Sequence, residues 1–240
     1  MQFLRIDISG AVAVMTWKHE EQNRFTSPFN EEIIAGLEQL AADPAIRAVV
    51  VTSGVPKYFS TGLHLDWIKA QVAADPESLR PFFHSINRLM TLATGYPKPL
   101  IAAINGHAVA MGLIITACMD YRLMAVDRGF LRLPEVQIDI PFLPSMTAVF
   151  NEILPPRSFR DLAYTGDKFT PIQGQEMGLI DQTFPAAELL PAAVELGKKL
   201  GAHKSATYAT IKRDNRRRVL AALRDDDPAA IEVLLKRFTG

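Results

Sequence analysis

The chain has 240 residues, 48% of them apolar and 22% charged, which is ordinary globular composition and enough length for a full core. Lys plus Arg and Asp plus Glu both number 26, so no global field favours nucleic acid or an acidic membrane. The zero net charge also gives little protection against self-association, which fits an oligomer.

The N-terminal MQFLRIDISGAVAVMTW carries acid early and lacks the apolar core of a signal peptide, and the final KRFTG is no lipidation or peroxisomal address. Residues 11–17, AVAVMTW, predict a strand after a Ser9-Gly10 turn. SPFNEEIIAGLEQLAAD opens with a Ser-Pro start, carries Ile33, Ile34, Leu37 and Leu40 at helical spacing, and ends at Asp43-Pro44. AVVVTSG (48–54) predicts a buried strand, Phe59 to Gly62 a loop, and Leu63 the approximate start of a helix. Residues 73–95 predict a further helix, beginning after Asp75-Pro76. Pro99 to Met119 is the longest charge-free run and has the length of a membrane span. Pro99, Asn105-Gly106, His107 and Gly112 divide it into a strand (99–104), a turn and a buried helix. YRLMA (121–125) predicts another strand, and the C-terminal third is helical.

Strands alternating with helices argue an α/β fold with crossover connections. Cys118 is the single cysteine, so no intrachain disulfide forms and a reducing, cytoplasmic compartment is expected; within its apolar run it reads as a small core residue. There is no G-x-G-x-x-G, P-loop or G-x-S-x-G motif, and the five histidines are scattered, so no metal site is expected. Asp225-Asp226-Asp227 reads as a solvated loop.

FSTGLHLDWI (59–68), KPLIAAINGHAVAMG (98–112), MDYRLMA (119–125) and LPEVQIDIPF (133–142) occur in an order and spacing that resemble the crotonase superfamily, the enoyl-CoA hydratases and isomerases. QNRF (22–25) and YTGDKFTPIQGQEMGLIDQTFP (164–185) extend the likeness over nearly the whole chain. DYRLMAVDRGFLRLPEV, IPFLP and YATIKR (208–213) are most similar to the Δ3,Δ2-enoyl-CoA isomerases, enzymes of β-oxidation and fatty acid metabolism. The resemblance implies a ClpP-like spiral of ββα units over residues 1–185. A helical region over 186–240 would pack on the core or on a neighbouring subunit in a homotrimer or hexamer. It also implies an acyl-CoA substrate, with CoA part of that substrate rather than a cofactor.

By the same resemblance, the backbone N–H groups of Leu63 and Met111 form an oxyanion hole for the thioester carbonyl. Fixed donors in a dry site hold enolate charge without reorganising, and one such donor is worth about 3 kcal/mol. Gly62, Gly112 and the small residues before Met111 allow close approach, and the helix start after Met111 adds a favourable dipole. Arg24 and Phe25 would line the CoA path. Thr61, Gly62, His64 and Leu65 would meet CoA through backbone, Pro134 would lie beside the catalytic segment, and Lys212 in KRDNRRR (212–218) would meet the 3′-phosphate. The alternative for that basic run is a solvated helix face. The acyl tail would lie among Trp67, Phe82, Phe83 and Phe142.

Hydratases of this family use two glutamates. One matches Glu135; the position of the other, three residues after the second oxyanion donor, is Ile114, which cannot titrate. A single carboxylate suits an isomerase, taking a proton from C2 and returning it at C4 of a 3-enoyl thioester. Leu133, Val136 and Ile138 would desolvate Glu135 and raise its pKa. His64 and Asp139 depart from the family's usual Asp and Gly; His64 reads first as a substitution at a helix start, with a second titrating group near the thioester as the alternative, and Asp139 either caps a turn or places a second carboxylate near Glu135. The alternatives are an enoyl-CoA hydratase with unusual acid/base residues and a non-catalytic acyl-CoA-binding protein.

Overall fold

The structure, a computed structural model, describes residues 1–239. It opens with a hairpin in which β1 (Leu4–Ser9) pairs antiparallel with β2 (Val12–Trp17). Gly10, at φ +63°, closes the turn in a conformation that side-chain-bearing residues rarely adopt. The Ser9-Gly10 turn is where the sequence puts it; the strand before it is additional to the expected elements. α1 (Ser27–Ala42) follows with Pro28 in its first turn, and buries the face marked by Ile33, Ile34, Leu37 and Leu40.

From there the chain winds as a spiral, each turn giving one strand to a large sheet and one to a small sheet. The first turn supplies β3 (Ala48–Ser53) and β4 (Tyr58–Ser60), then α2 (Leu65–Ala74) and α3 (Leu79–Thr94). The second supplies β5 (Leu100–Ile104), β6 (His107–Val109) and α4 (Met111–Ala117). The third supplies β7 (Tyr121–Ala125), β8 (Leu131–Arg132), α5 (Pro144–Ile153), α6 (Pro156–Thr165) and α7 (Pro171–Glu176). β9 (Gln182–Phe184) completes the large sheet, ordered β1-β2-β3-β5-β7-β9; the small sheet is ordered β4-β6-β8. Among the described residues the strand-to-strand pairings after the first hairpin are parallel, and an isolated antiparallel bridge joins Leu131 to Phe169. The apolar runs of β3 and β5 are buried throughout, as expected of parallel strands covered on both faces.

Four helices close the chain: α8 (Ala186–Gly201), α9 (Ser205–Asn215), α10 (Arg217–Ala221) and α11 (Asp227–Thr239), with a π-helical turn over Ala222–Asp226. α8 covers one face of the large sheet through Leu189 and Ala193, against Val12, Val50 and Ile101. The other face, with Met15, Trp17, Val49 and Ile104, meets α1, α3 and the rest of the larger core. No helix among the described residues is long and apolar enough to cross a membrane.

The helix expected from about Leu63 starts at Leu65. Two local expectations are corrected. The loop expected at Phe59–Gly62 begins as β4, which pairs with β6. The acidic run 225–227 is not a uniform solvated loop. Asp227 is fully buried, its Oδ1 accepting from Ser145 N at 2.9 Å, and its Oδ2 from Ser145 Oγ at 2.6 Å and Asn87 Nδ2 at 3.0 Å. A buried carboxylate is tolerable because each oxygen is hydrogen-bonded, and the result is fixed geometry: α3, α5 and α11 meet on one side chain.

Candidate active site

Two loops that leave the small sheet are wedged together at the heart of the molecule. The loop after β4 is held by Phe25, whose N–H donates to Gly62 O at 2.8 Å and whose carbonyl accepts from His64 N at 3.1 Å. That parallel bridge brings Leu63 opposite Phe25 and leaves the Leu63 N–H without an acceptor among the described residues. Gly62 takes φ +92°, and a Cβ there would lie 2.8 Å from the Ala110 Cβ and 3.1 Å from the Met111 nitrogen. A Cβ on Gly112 would sit 2.4 Å from the Ser60 carbonyl oxygen. Glycine at both positions lets the loops touch backbone to backbone.

Ala110 precedes Met111 at φ +51°, a strained conformation for a residue with a side chain. It is held there by donation from its N–H to Arg132 O at 2.9 Å and by its carbonyl, which accepts from Leu113 N and Ile114 N. The turn presents the Met111 N–H at the start of α4, where no protein acceptor meets it among the described residues.

Glu135 opens a single 3-10 turn over Glu135–Gln137, directly after Pro134. Its carbonyl accepts from Ile140 N at 3.1 Å, and Gln137 ties the turn to α6 by donating to Thr165 O at 2.7 Å. The Glu135 side chain is only 7% exposed, and its Oε2 has no hydrogen-bond partner. Burial pushes the carboxyl up to about 7, opposed only by a hydrogen bond from its own backbone N–H.

Leu63, Met111 and Glu135 line one cavity, together with Ile114, Leu143 and Met146. Glu135 is the only titratable side chain among the described residues of that lining, and Thr61 the only other polar one. The arrangement offers two unclaimed backbone donors and one desolvated carboxylate in an apolar chamber. It can remove a proton beside a carbonyl, hold the oxyanion, and return the proton.

The other residues expected at the site divide. Thr61, Leu65 and Pro134 line the cavity, and Gly62 and Gly112 form the loop contact behind it. Phe25 holds the donor loop through its backbone; its ring is fully buried edge-on against Trp17 and is not part of the cavity lining. His64 is not a second titrating group in the lining: its Nδ1 accepts from Trp67 N at 3.2 Å and caps α2. Arg24 is engaged by Glu20 at 3.1 Å and lies 3.9 Å from Asp66, outside the cavity lining. Asp139 also lies outside that lining, its side chain 95% exposed and paired with Arg237 at 3.1 Å.

Lys212 is a correction. It is buried, paired with Asp120 at 2.6 Å and donating to Lys98 O at 2.9 Å, so its charge is neutralised inside the protein rather than offered to a phosphate. Arg216 in the same basic run is likewise buried, against Glu152 at 3.1 Å. Of the expected tail-binding aromatics only Phe83 lines the cavity; Trp67 packs on Phe82, and Phe142 lines a neighbouring cavity that Glu135 also borders. Val136 is exposed and lies outside this lining, whereas Ile138, with Ile114, Ile140 and Leu143, lines the cavity alongside Glu135. Ile86, Met146 and Leu234 also line the cavity and carry no sequence signal of it, because an apolar residue at helical spacing looks the same whether it faces core or cavity. Among the described residues no group of three His, Cys, Asp or Glu side chains could hold a metal ion.

Known proteins share this architecture. Residues 7–237 match the family described as Enoyl-CoA hydratase/isomerase. Enoyl-CoA delta isomerase 1, peroxisomal, of Arabidopsis thaliana is 31% identical over 183 residues, covering 75% of this chain and 74% of the relative. The crystal structure of human mitochondrial delta3-delta2-enoyl-CoA isomerase superposes with a TM-score of 0.93 at 23% identity, over 99% of this chain and 92% of that one. A probable enoyl-CoA hydratase from Mycobacterium tuberculosis gives 0.89 at 20% identity, over 98% of each chain. These structural likenesses establish the crotonase fold, and the sequence match establishes the rest: the chain belongs to the enoyl-CoA hydratase/isomerase family.

Proposed function

We propose that the protein is a Δ3,Δ2-enoyl-CoA isomerase. The observation that carries this reading is the solitary Glu135 in a cavity whose other family acid position is Ile114. Ionised Glu135 takes a proton from C2 of a 3-enoyl thioester. The C–H electron pair spreads into a dienolate whose oxygen is held by the Leu63 and Met111 N–H groups. The carboxylic acid then returns the proton at C4, leaving the double bond between C2 and C3. The lining offers no second acid or base to activate water, and its apolar side chains disfavour water beside the intermediate.

No cofactor is needed for this proton transfer, and CoA belongs to the substrate. The assembly that goes with this reading is a homotrimer or a hexamer, which light scattering on the purified protein tests, and the proposed setting is cytoplasmic. The function is tested by product mass. The protein should convert 3-hexenoyl-CoA to 2-hexenoyl-CoA and leave 2-hexenoyl-CoA without water added, and Glu135→Gln should lower turnover about 1,000-fold. Hydration of 2-hexenoyl-CoA would instead establish the hydratase reading. Binding of acyl-CoA without conversion would establish a non-catalytic one.

A further inference from the structure

The cavity at Glu135 continues beyond the reacting centre. A second cavity shares four of its lining residues, Leu65, Ile138, Ile140 and Leu234. It extends along Ile68 and Phe238 to a rim formed by Lys69, Asp139 and Arg237. Leu234, Arg237 and Phe238 all belong to α11, so one face of the last helix forms a wall of the second cavity and, at Leu234, of the first.

The rim is bridged. Arg237 Nη1 donates to the Asp139 carbonyl at 3.2 Å and to its Oδ1 at 3.1 Å, joining α11 to the segment after the Glu135 turn. Asp139 holds φ +55°, so the bridge rests on a strained backbone. Both partners are at least half exposed, with side chains 95% and 50% accessible. Ion pairs of this kind are weak and easily parted. The walls inside the bridge are apolar, matching a hydrocarbon chain and nothing charged.

We propose that the second cavity takes the far end of the acyl chain, and that Leu234 and the Asp139–Arg237 bridge set the chain length the protein accepts. This rests on the acyl-CoA reading given above. A short acyl group ends within the first cavity and never meets the bridge. A longer one passes Leu234, fills the second cavity and must displace Arg237 to extend into solvent. Asp139 and Arg237 are specificity residues in this scheme and take no part in proton transfer.

The test is binding, which does not depend on turnover. Affinities of hexanoyl-CoA and dodecanoyl-CoA are measured by calorimetry for the wild type, Arg237→Ala and Leu234→Phe. Arg237→Ala is expected to shift the affinity ratio about tenfold toward dodecanoyl-CoA, because a chain then leaves the second cavity without parting an ion pair. Leu234→Phe narrows the passage and is expected to shift the ratio about tenfold the other way. Hexanoyl-CoA bound by all three proteins with an unchanged ratio overturns the inference and leaves the acyl-CoA reading standing. Equal weakening of both ligands also overturns it, since that marks a structural role for α11. Failure of the wild type to bind either ligand overturns the acyl-CoA reading and the inference with it.

Discussion

Ile114 and Glu135 face the same cavity, one from α4 and the other from the 3-10 turn after Pro134. By the family resemblance these are the two positions at which hydratases carry glutamates, so in the proposed reading the difference between the reactions reduces to one side chain. Ile114→Glu is expected to introduce water addition to 2-hexenoyl-CoA, detected as a product heavier by one water. Placing a second carboxyl in an apolar lining should also lower stability by about 3 kcal/mol, read by urea denaturation.

The raised pKa of Glu135 weakens the fold within a defined pH window. Burial pushes the carboxyl from 4.5 up to about 7, so the folded protein holds a proton that the unfolded chain releases. The resulting contribution is fully present below about pH 4.5 and is lost as pH rises through about 7. At pH 8 the loss is about 3 kcal/mol. Glu135→Gln is therefore expected to be about 2 kcal/mol more stable than the wild type at pH 8, with the gain fading toward pH 5. Unfolding curves at the two pH values check this.

In the proposed reaction the proton acceptor is the Glu135 carboxylate, so kcat/KM should rise through an apparent pKa near 7 and then level off. A profile without that limb would remove Glu135 from the reaction.

Gly112 is expected to tolerate no side chain. A Cβ there would come within 2.4 Å of the Ser60 carbonyl oxygen, a backbone atom with no flexible group to yield. Gly112→Ala should drive the two donor loops apart and lower kcat by about 100-fold or more, while acyl-CoA still binds.

Lys212→Ala tests whether that lysine serves the fold or the ligand. The substitution leaves Asp120 with the Leu100 N–H at 2.8 Å but without its cation. A loss of about 3 kcal/mol in unfolding free energy is expected, with the affinity for CoA unchanged within about twofold. A large loss of CoA affinity in a stable variant would return Lys212 to the phosphate.

What is legible in the sequence follows from what local pattern records. LIAAI and the AVVV of AVVVTS announce themselves as strands because buried parallel strands are nearly continuously apolar, and YRLMA is read as one although it carries the buried Arg122. β6 and β8 have three and two residues, too short for any period to show. Glu135, Leu63 and Met111 are reached through the family resemblance, and the structure brings the three to one cavity. Lys212 is misplaced by sequence because the partners that bury it, Asp120 and Lys98, are found only after folding. Asp227 is misread for the same reason: its partners lie 82 and 140 residues away, a separation invisible to any local reading.

The late position of Leu234 in the chain has a consequence for synthesis. A nascent polypeptide that has emerged only as far as α8 already carries both donor loops and Glu135, but the part of the cavity wall that Leu234 supplies is absent. The cavity is therefore completed only when α11 docks, and Asp227, at its first residue, couples that step to α3 and α5.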